Sequence, residues 1–206
     1  ATPDNTVTGT YDIVASGASA GDNYNISYTK GALTISEKQP ATVTKVPTAK
    51  TLTYNGSAQE LVTAGTATGG TMQYALGTAT AATQPYTTSI TTATNAGTYY
   101  VWYKVVGDAN HNDVAEKSVA VKIAPADKTE LNTAIKACED YYNTIKDNAN
   151  YAKEAKALAD EIEAAKKLSV NDNAKPSDVS EGTTKLNNSK KAAEEAVNGI
   201  IVAKKK

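Results

Sequence analysis

The hydrophobic pattern is clearest in residues 97–106, where β-branched and aromatic side chains alternate with period two. A polar turn rich in Gly, Asn and Asp follows over residues 107–113, and residues 114–123 alternate again. Two alternating runs joined by such a turn predict a β-hairpin. Because successive side chains of a strand point to opposite faces, the first strand has two expected faces. One holds Tyr99, Val101, Tyr103 and Val105, and the other holds Tyr100, Trp102 and Lys104.

The start of the chain repeats part of this pattern. Residues 9–11 and 97–99 are both Gly-Thr-Tyr, and Ile35 matches Ile123, each at an offset of 88 positions. This is the size of one small sandwich domain, so residues 1–38 would hold the closing strands of a unit whose opening half precedes residue 1. Two or three strands alone bury too little apolar surface to be stable. We therefore expect this segment to dock on its neighbour, to pair with another chain, or to be part of a divided domain.

Residues 39–124 contain six or seven short alternating runs separated by turn signals, as in a complete Ig-like antiparallel β-sandwich. The Asn55-Gly56 pair predicts a two-residue hairpin between residues 51–54 and residues 59–64. Tyr99 stands two positions before a core position, which is typical of the tyrosine corner of immunoglobulin-type sandwiches.

Residues 125–206 change to helical periodicity, with apolar side chains at spacings of three and four in three segments. These are Leu131, Ile135, Cys138, Tyr142 and Ile145; then Tyr151, Ala155, Leu158, Ile162 and Ala165; then Val179, Thr183, Leu186, Ala193, Val197 and Ile200. Asp127 and Glu130 predict a capping box at the first helix, and the third is expected to begin near Pro176. The predicted fold class is therefore multidomain β + α. It comprises a partial Ig-like sandwich (1–38), a complete one (39–124) and a C-terminal antiparallel three-helix bundle (125–206).

Composition supports the same division. Residues 1–124 contain 24 Thr and 15 charged side chains, whereas residues 125–206 contain 5 Thr and 28 charged side chains. The formal net charge is −1 and every basic residue other than the one His is Lys, which argues against a nucleic-acid-binding surface. A single Cys excludes an internal disulfide, and we expect no membrane span or signal peptide in this segment.

Residues that could carry chemistry are few. Asp108, Asn110 and Asn112 resemble the start of a calcium loop, but Asp113 and Val119 stand where an EF-hand requires Gly and Glu. We interpret this stretch as a hairpin turn, and its His111 is the only His of the chain. Cys138 lies on an apolar helical stripe, so we expect a small buried side chain. No catalytic residue, metal ligand or cofactor is predicted, and we expect the chain not to be an enzyme.

Tyr100 and Trp102 are the candidate ligand-binding residues. An aromatic pair on the face opposite the core could stack on a sugar ring or on a partner protein. The simpler interpretation is that a loop, another strand or a neighbouring domain covers this face. Lys104, on the same face, is the first position to inspect for an internal Lys–Asn isopeptide bond.

The chain also resembles known families. Residues 51–59, 97–104 and 107–111 resemble the bacterial Ig-like repeats of large surface proteins, and residues 9–38 are similar to the closing half of the related MBG type. Residues 126–200, which begin Ala-Asp-Lys-Thr-Glu-Leu, are similar to FIVAR modules, three-helix units found beside sugar-active and adhesive domains. This resemblance implies a fragment of a multidomain protein exported to the surface of a Gram-positive-type bacterium.

Two functions follow as expectations. The first is a non-enzymatic extracellular spacer that presents a distal domain, with short Pro-containing linkers limiting the bending between units. The second is an adhesin or binding module for glycans or host surface proteins, which would use Tyr100 and Trp102 or the helical segment. A spacer would bury these two side chains at a domain junction, and a binding module would expose them in line.

Overall fold

The computed structural model describes residues 7–205, and these have the mixed β + α architecture expected from the sequence. Strands occupy the first part of the described chain and helices the last. The strands are β1 Gly9–Ile13, β2 Gly31–Ile35, β3 Gln39–Pro40, β4 Thr42–Lys45, β5 Thr48–Ala49, β6 Leu52–Thr53, β7 Gln59–Glu60, β8 Val62–Thr63, β9 Thr66–Thr68, β10 Gly70–Gly77, β11 Thr92–Ala93, β12 Gly97–Gly107, β13 His111–Asn112 and β14 Val114–Ala124. The helices are α1 Thr129–Ile145, α2 Ala152–Ser169 and α3 Pro176–Ala203, with a 3-10 turn at Ala149–Tyr151 before α2.

The largest sheet has four strands in the order β10-β12-β14-β6, so the strand predicted from residues 97–106 lies inside it. β12 pairs antiparallel with β10 on one side and with β14 on the other. The predicted hairpin of β12 and β14 is confirmed, with an irregularity in its register between Tyr103 and Val105. Shorter two-stranded ladders, β4–β9, β5–β8 and β7–β11, complete the same region.

One face of this sheet carries the core of residues 39–124. Val101, Tyr103 and Val105 of β12 are buried, as the alternation predicted. Val101 and Tyr103 belong to one buried cluster, which contains Tyr54, Leu61, Val62, Tyr74, Val101, Tyr103, Val121 and Ile123. Tyr side chains occupy the aromatic positions because the chain has no Phe. The Tyr74 hydroxyl is paired, since it accepts a hydrogen bond from the Gly65 N–H at 2.9 Å.

The hairpin predicted at Asn55-Gly56 is wrong. β6 pairs in parallel with the end of β14, at Leu52 opposite Ile123, whereas β7 pairs with β11. The turn itself forms, because Gly56 has φ 82° and the Asn55 side chain accepts a hydrogen bond from the Ser57 N–H at 2.9 Å. β6 and β7, on either side of this turn, do not pair with each other because each pairs with a strand that is distant in the sequence.

The predicted tyrosine corner is present twice. The Tyr99 hydroxyl donates to the Asn95 carbonyl at 2.8 Å, and the Tyr11 hydroxyl donates to the Val7 carbonyl at 3.0 Å. β1 pairs with β2 in the register of β12 with β14, since Gly9 lies opposite Ile35 as Gly97 lies opposite Ile123. The repeat seen in the sequence therefore extends to the hydrogen bonds.

The three predicted helices form and pack on one another. Their shared cluster contains Ala126, Leu131, Ala134, Ile135, Cys138, Leu158, Ile162, Ala165, Ala174, Val179 and Leu186. Cys138 is fully buried, as predicted, and burial raises the pKa of its thiol. The capping box is wrong in detail: α1 begins one residue later than expected, and the Asp127 carboxylate accepts hydrogen bonds from the N–H and hydroxyl of Thr129.

Candidate functional sites: the outer sheet face and the two joints

The side of the large sheet that faces away from its core carries the candidate binding residues. Tyr100, Trp102 and Lys104 are all half-buried there. Small side chains flank the aromatic pair in the neighbouring strands, because Ala75 lies opposite Trp102 in β10 and Ala120 lies opposite Tyr100 in β14. We call this surface the outer sheet face. Because these neighbouring side chains are small, the rings of Tyr100 and Trp102 stand out from the middle of this face.

Trp102 is held by a loop of its own β-unit, as we call residues 39–124. Its indole N–H donates to the Thr78 carbonyl at 2.8 Å. Gly77 lies beside the ring, and a Cβ at that position would come within 2.8 Å of the Trp102 Cδ1 atom. The indole is thus fixed in orientation and partly covered, with its one donor already used. This placement lies between the two sequence expectations, since Trp102 is neither fully open nor buried at a domain junction.

Lys104 faces an aromatic ring. Its ammonium nitrogen lies 4.5 Å from the centre of the Tyr86 ring, a cation–π arrangement. The Tyr86 hydroxyl donates to Glu116 Oε2 at 2.5 Å. Burial, and then the hydrogen bond to Glu116 and the charge of its carboxylate, raise the pKa of Tyr86 above its ordinary value. Tyr86 and Glu116 had not been identified from the sequence, because they are 30 positions apart and only the fold brings them together.

The turn after β12 is held by local side-chain bonds. Asp108 Oδ1 lies 2.6 Å from His111 Nδ1 and accepts the Asn110 N–H at 2.8 Å. These two interactions, the imidazole first, lower the pKa of the Asp108 carboxyl. Asp113 Oδ1 accepts the Gly107 N–H at 2.8 Å. Within residues 7–205, no group of three His, Cys, Asp or Glu side chains is placed to hold a metal ion.

This turn also binds the linker between β2 and β4, and we call this contact the first joint. β3 and β13 pair in parallel, with His111 opposite Gln39. The Gln39 N–H donates to the Asn110 carbonyl at 3.0 Å, and the Ala41 N–H donates to the Asn112 carbonyl at 3.1 Å. The linker backbone is therefore fixed against the β-unit.

The second joint connects the β-unit with the helices. The Ala96 N–H donates to Asn173 Oδ1 at 2.8 Å. The aliphatic part of the Lys175 side chain packs over Gly56, where an added Cβ would meet Lys175 Cε at 2.5 Å. On the helical side, Lys128 Nζ donates to the Asn171 carbonyl at 2.7 Å. The loop between α2 and α3 thus contacts two turns of the β-unit.

An open groove of about 660 Å³ lies between α1 and α2. Glu139, Glu163 and Lys166 line it, and Lys166 Nζ lies 2.8 Å from Glu139 Oε1. The hydrogen bond with Glu139 raises the pKa of Lys166. Groups exposed to water in this way form weak ion pairs, so the groove by itself indicates no specific ligand.

Among the described residues, no helix combines the length and the apolar character needed to cross a membrane.

Comparison with known proteins finds a family model that matches one segment of the chain. Residues 1–34 match the family described as MBG domain (YGX type). This match supports the resemblance of the first segment to Ig-like domains of bacterial surface proteins. No match is found among curated proteins.

Two solved structures show a low similarity. The N-terminal domain of the alpha C protein of group B Streptococcus is 15% identical, with 75% of this chain and 90% of that chain covered and a TM-score of 0.28. A point mutant of that domain is 16% identical, with 60% of this chain and 67% of that chain covered and a TM-score of 0.27. The match to the MBG family is confined to residues 1–34.

Proposed function

We propose that this chain is a non-enzymatic spacer segment of a bacterial cell-surface protein, which holds a distal domain at a distance from the cell. Three units make up the segment: an MBG-type partial domain (1–38), an Ig-like β-sandwich (39–124) and a FIVAR-like three-helix bundle (125–206). The family match of residues 1–34 supports the surface location.

The observation that carries this proposal is the pair of joints. A spacer transmits position only if its units do not bend freely, and flexible linkers would allow them to do so. At the first joint the linker backbone belongs to a two-stranded ladder, and at the second joint Asn173 and Lys175 contact turns of the β-unit. Both contacts restrain the segments that would otherwise act as hinges.

Backbone ¹⁵N relaxation tests this function. In the unmodified chain, residues 39–124 and residues 125–205 should share one rotational correlation time. The double variant Asn173→Ala/Lys175→Ala should separate the two values, because it removes the hydrogen-bond acceptor for Ala96 and the alkyl chain over Gly56. Lys153→Ala, which removes one exposed charge at the opposite end of α2 from the joint, is the control and should change nothing. Two different correlation times in the unmodified chain would contradict the spacer function.

A binding module is the second candidate function, because the outer sheet face combines Tyr100, Trp102, Lys104 and Tyr86. Aromatic rings fixed by a scaffold are suited to stacking on a sugar ring or on a partner side chain. The test is retention on arrays of glycans and host surface proteins. Retention by the intact chain that Trp102→Ala and Tyr100→Ala abolish would support this function, provided that the amide NMR spectrum of each variant outside the substituted strand is unchanged and so shows that the fold persists. No retention by the intact chain would remove it.

A further inference from the structure

The β1–β2 hairpin exposes the face that its counterpart buries. Ile13 is 56% exposed and Leu33 is 39% exposed, whereas the corresponding Val101 and Val121 are 0% and 2% exposed. Within residues 7–205, no third strand pairs with β1 or β2. Isolated two-stranded hairpins are marginally stable in water, so this hairpin needs a cover.

The correspondence between the two hairpins rests on backbone pairing. Tyr11 lies opposite Leu33 as Tyr99 lies opposite Val121, with each position shifted by 88 residues. The tyrosine-corner hydrogen bonds at Tyr11 and Tyr99 follow the same shift. The exposed face of β1–β2 is therefore a core face in its geometry as well as in its residue types.

The strands and side chains that cover the β12–β14 hairpin indicate what kind of segment would cover the exposed face of β1–β2. β10 pairs along the edge of β12, with Leu76 opposite Val101, and β6 pairs with the end of β14. Leu61 and Val62 complete the same cluster and are fully buried. All of this cover comes from residues 39–88, which contain three charged side chains, Lys45, Lys50 and Glu60.

We propose that the apolar face and free edges of β1–β2 bind the opening strands of an Ig-like unit, a nearly uncharged polypeptide segment with the strand pattern of residues 39–88. One strand of this segment lies antiparallel to β1, with its equivalent of Leu76 opposite Ile13. The main-chain groups of the strand edges supply the affinity, and the apolar face selects a partner with matching alternation. A second copy of this chain is a poor donor, since its own residues 39–88 already form a core.

A fusion tests the proposal. An extra copy of residues 39–88 is joined ahead of residue 1, because residue 89 is the repeat counterpart of residue 1. We expect amide hydrogen exchange in β1 and β2 to slow on the order of 100-fold, as these amides pass from a fraying hairpin to a packed sheet. The control carries Leu61→Asp in the added copy and should leave the exchange fast.

Two results would overturn the proposal. The first is equal exchange of the β1 and β2 amides with and without the added copy. The second comes from sedimentation of the unmodified chain, which we expect to be monomeric at micromolar concentration. A dimer that Ile13→Asp abolishes would show that a second copy occupies the face instead.

Discussion

At the scale of single residues, Tyr99 and Tyr11 make the same hydrogen bond in two different surroundings. Tyr99 packs against the core of the β-unit, while Tyr11 belongs to the uncovered hairpin. The bond closes the turn before the strand in both cases, with Asn95 and Val7 as the acceptors. Its contribution to stability should therefore depend on whether the strand that follows is part of a cooperative core.

We predict that Tyr99→Phe lowers the free energy of unfolding of the β-unit by about 1 kcal/mol, the usual net value of one hydrogen bond. Tyr11→Phe is the matched control and should leave it unchanged. Urea unfolding followed by Trp102 fluorescence measures both, because Trp102 is the only Trp of the chain. Equal effects of the two substitutions would show that the hairpin and the β-unit unfold together.

Asp108 makes the stability of the β-unit depend on pH. Hydrogen bonds with His111 and Asn110 lower the pKa of its carboxyl in the folded state. The contribution of such a group is fully present above its unfolded pKa of about 4 and is lost as the pH falls through the folded pKa. Asp108→Asn should therefore lower the urea midpoint at about pH 6 and have little effect at about pH 2. An equal effect at both pH values would contradict this origin.

At the scale of secondary-structure elements, the sequence predicted contacts between residues close together in the chain better than contacts between distant residues. The β12–β14 hairpin and the three helices follow from local periodicity and were predicted with nearly the correct limits. The partners of β6 and β7 were not, because a strong local turn signal at Asn55-Gly56 suggested the wrong pairing. On the outer sheet face, the positions of Tyr100 and Trp102 follow from the alternation in the sequence. The contact between Tyr86 and Lys104 could not be predicted in this way, because it depends on the fold.

The helices should unfold as a unit of their own. Leu158 of α2 is almost fully buried in the cluster shared by the three helices. Leu158→Ala should destabilise them by about 2–5 kcal/mol through lost apolar contact and a residual cavity. Lys156→Ala, two residues earlier on the exposed side of α2, should cost less than about 0.5 kcal/mol because surface ion pairs such as that of Lys156 with Asp160 contribute little. Circular dichroism at 222 nm measures both, and similar values for the two would contradict the observed packing.

At the scale of the whole molecule, the joints matter most and were the least predictable. The sequence indicated where the linkers are, from Pro and from the change in composition, and suggested that they would be stiff. It gave no sign of the bond between Ala96 and Asn173, which are 77 positions apart, nor of Lys175 over Gly56. Polar contacts between loops have no periodic pattern, so only the packed units bring such residues together.

A spacer requires that residues 39–124 and residues 125–205 keep a fixed orientation relative to each other, and residual dipolar couplings measure this orientation directly. Amide couplings from residues 39–124 and from residues 125–205 are collected in one weakly aligning medium and fitted separately. If the second joint fixes the helices on the β-unit, both sets will give the same alignment tensor in magnitude and direction. Alignment tensors of clearly different magnitude would show that the units move independently, and would contradict the spacer function proposed for this chain.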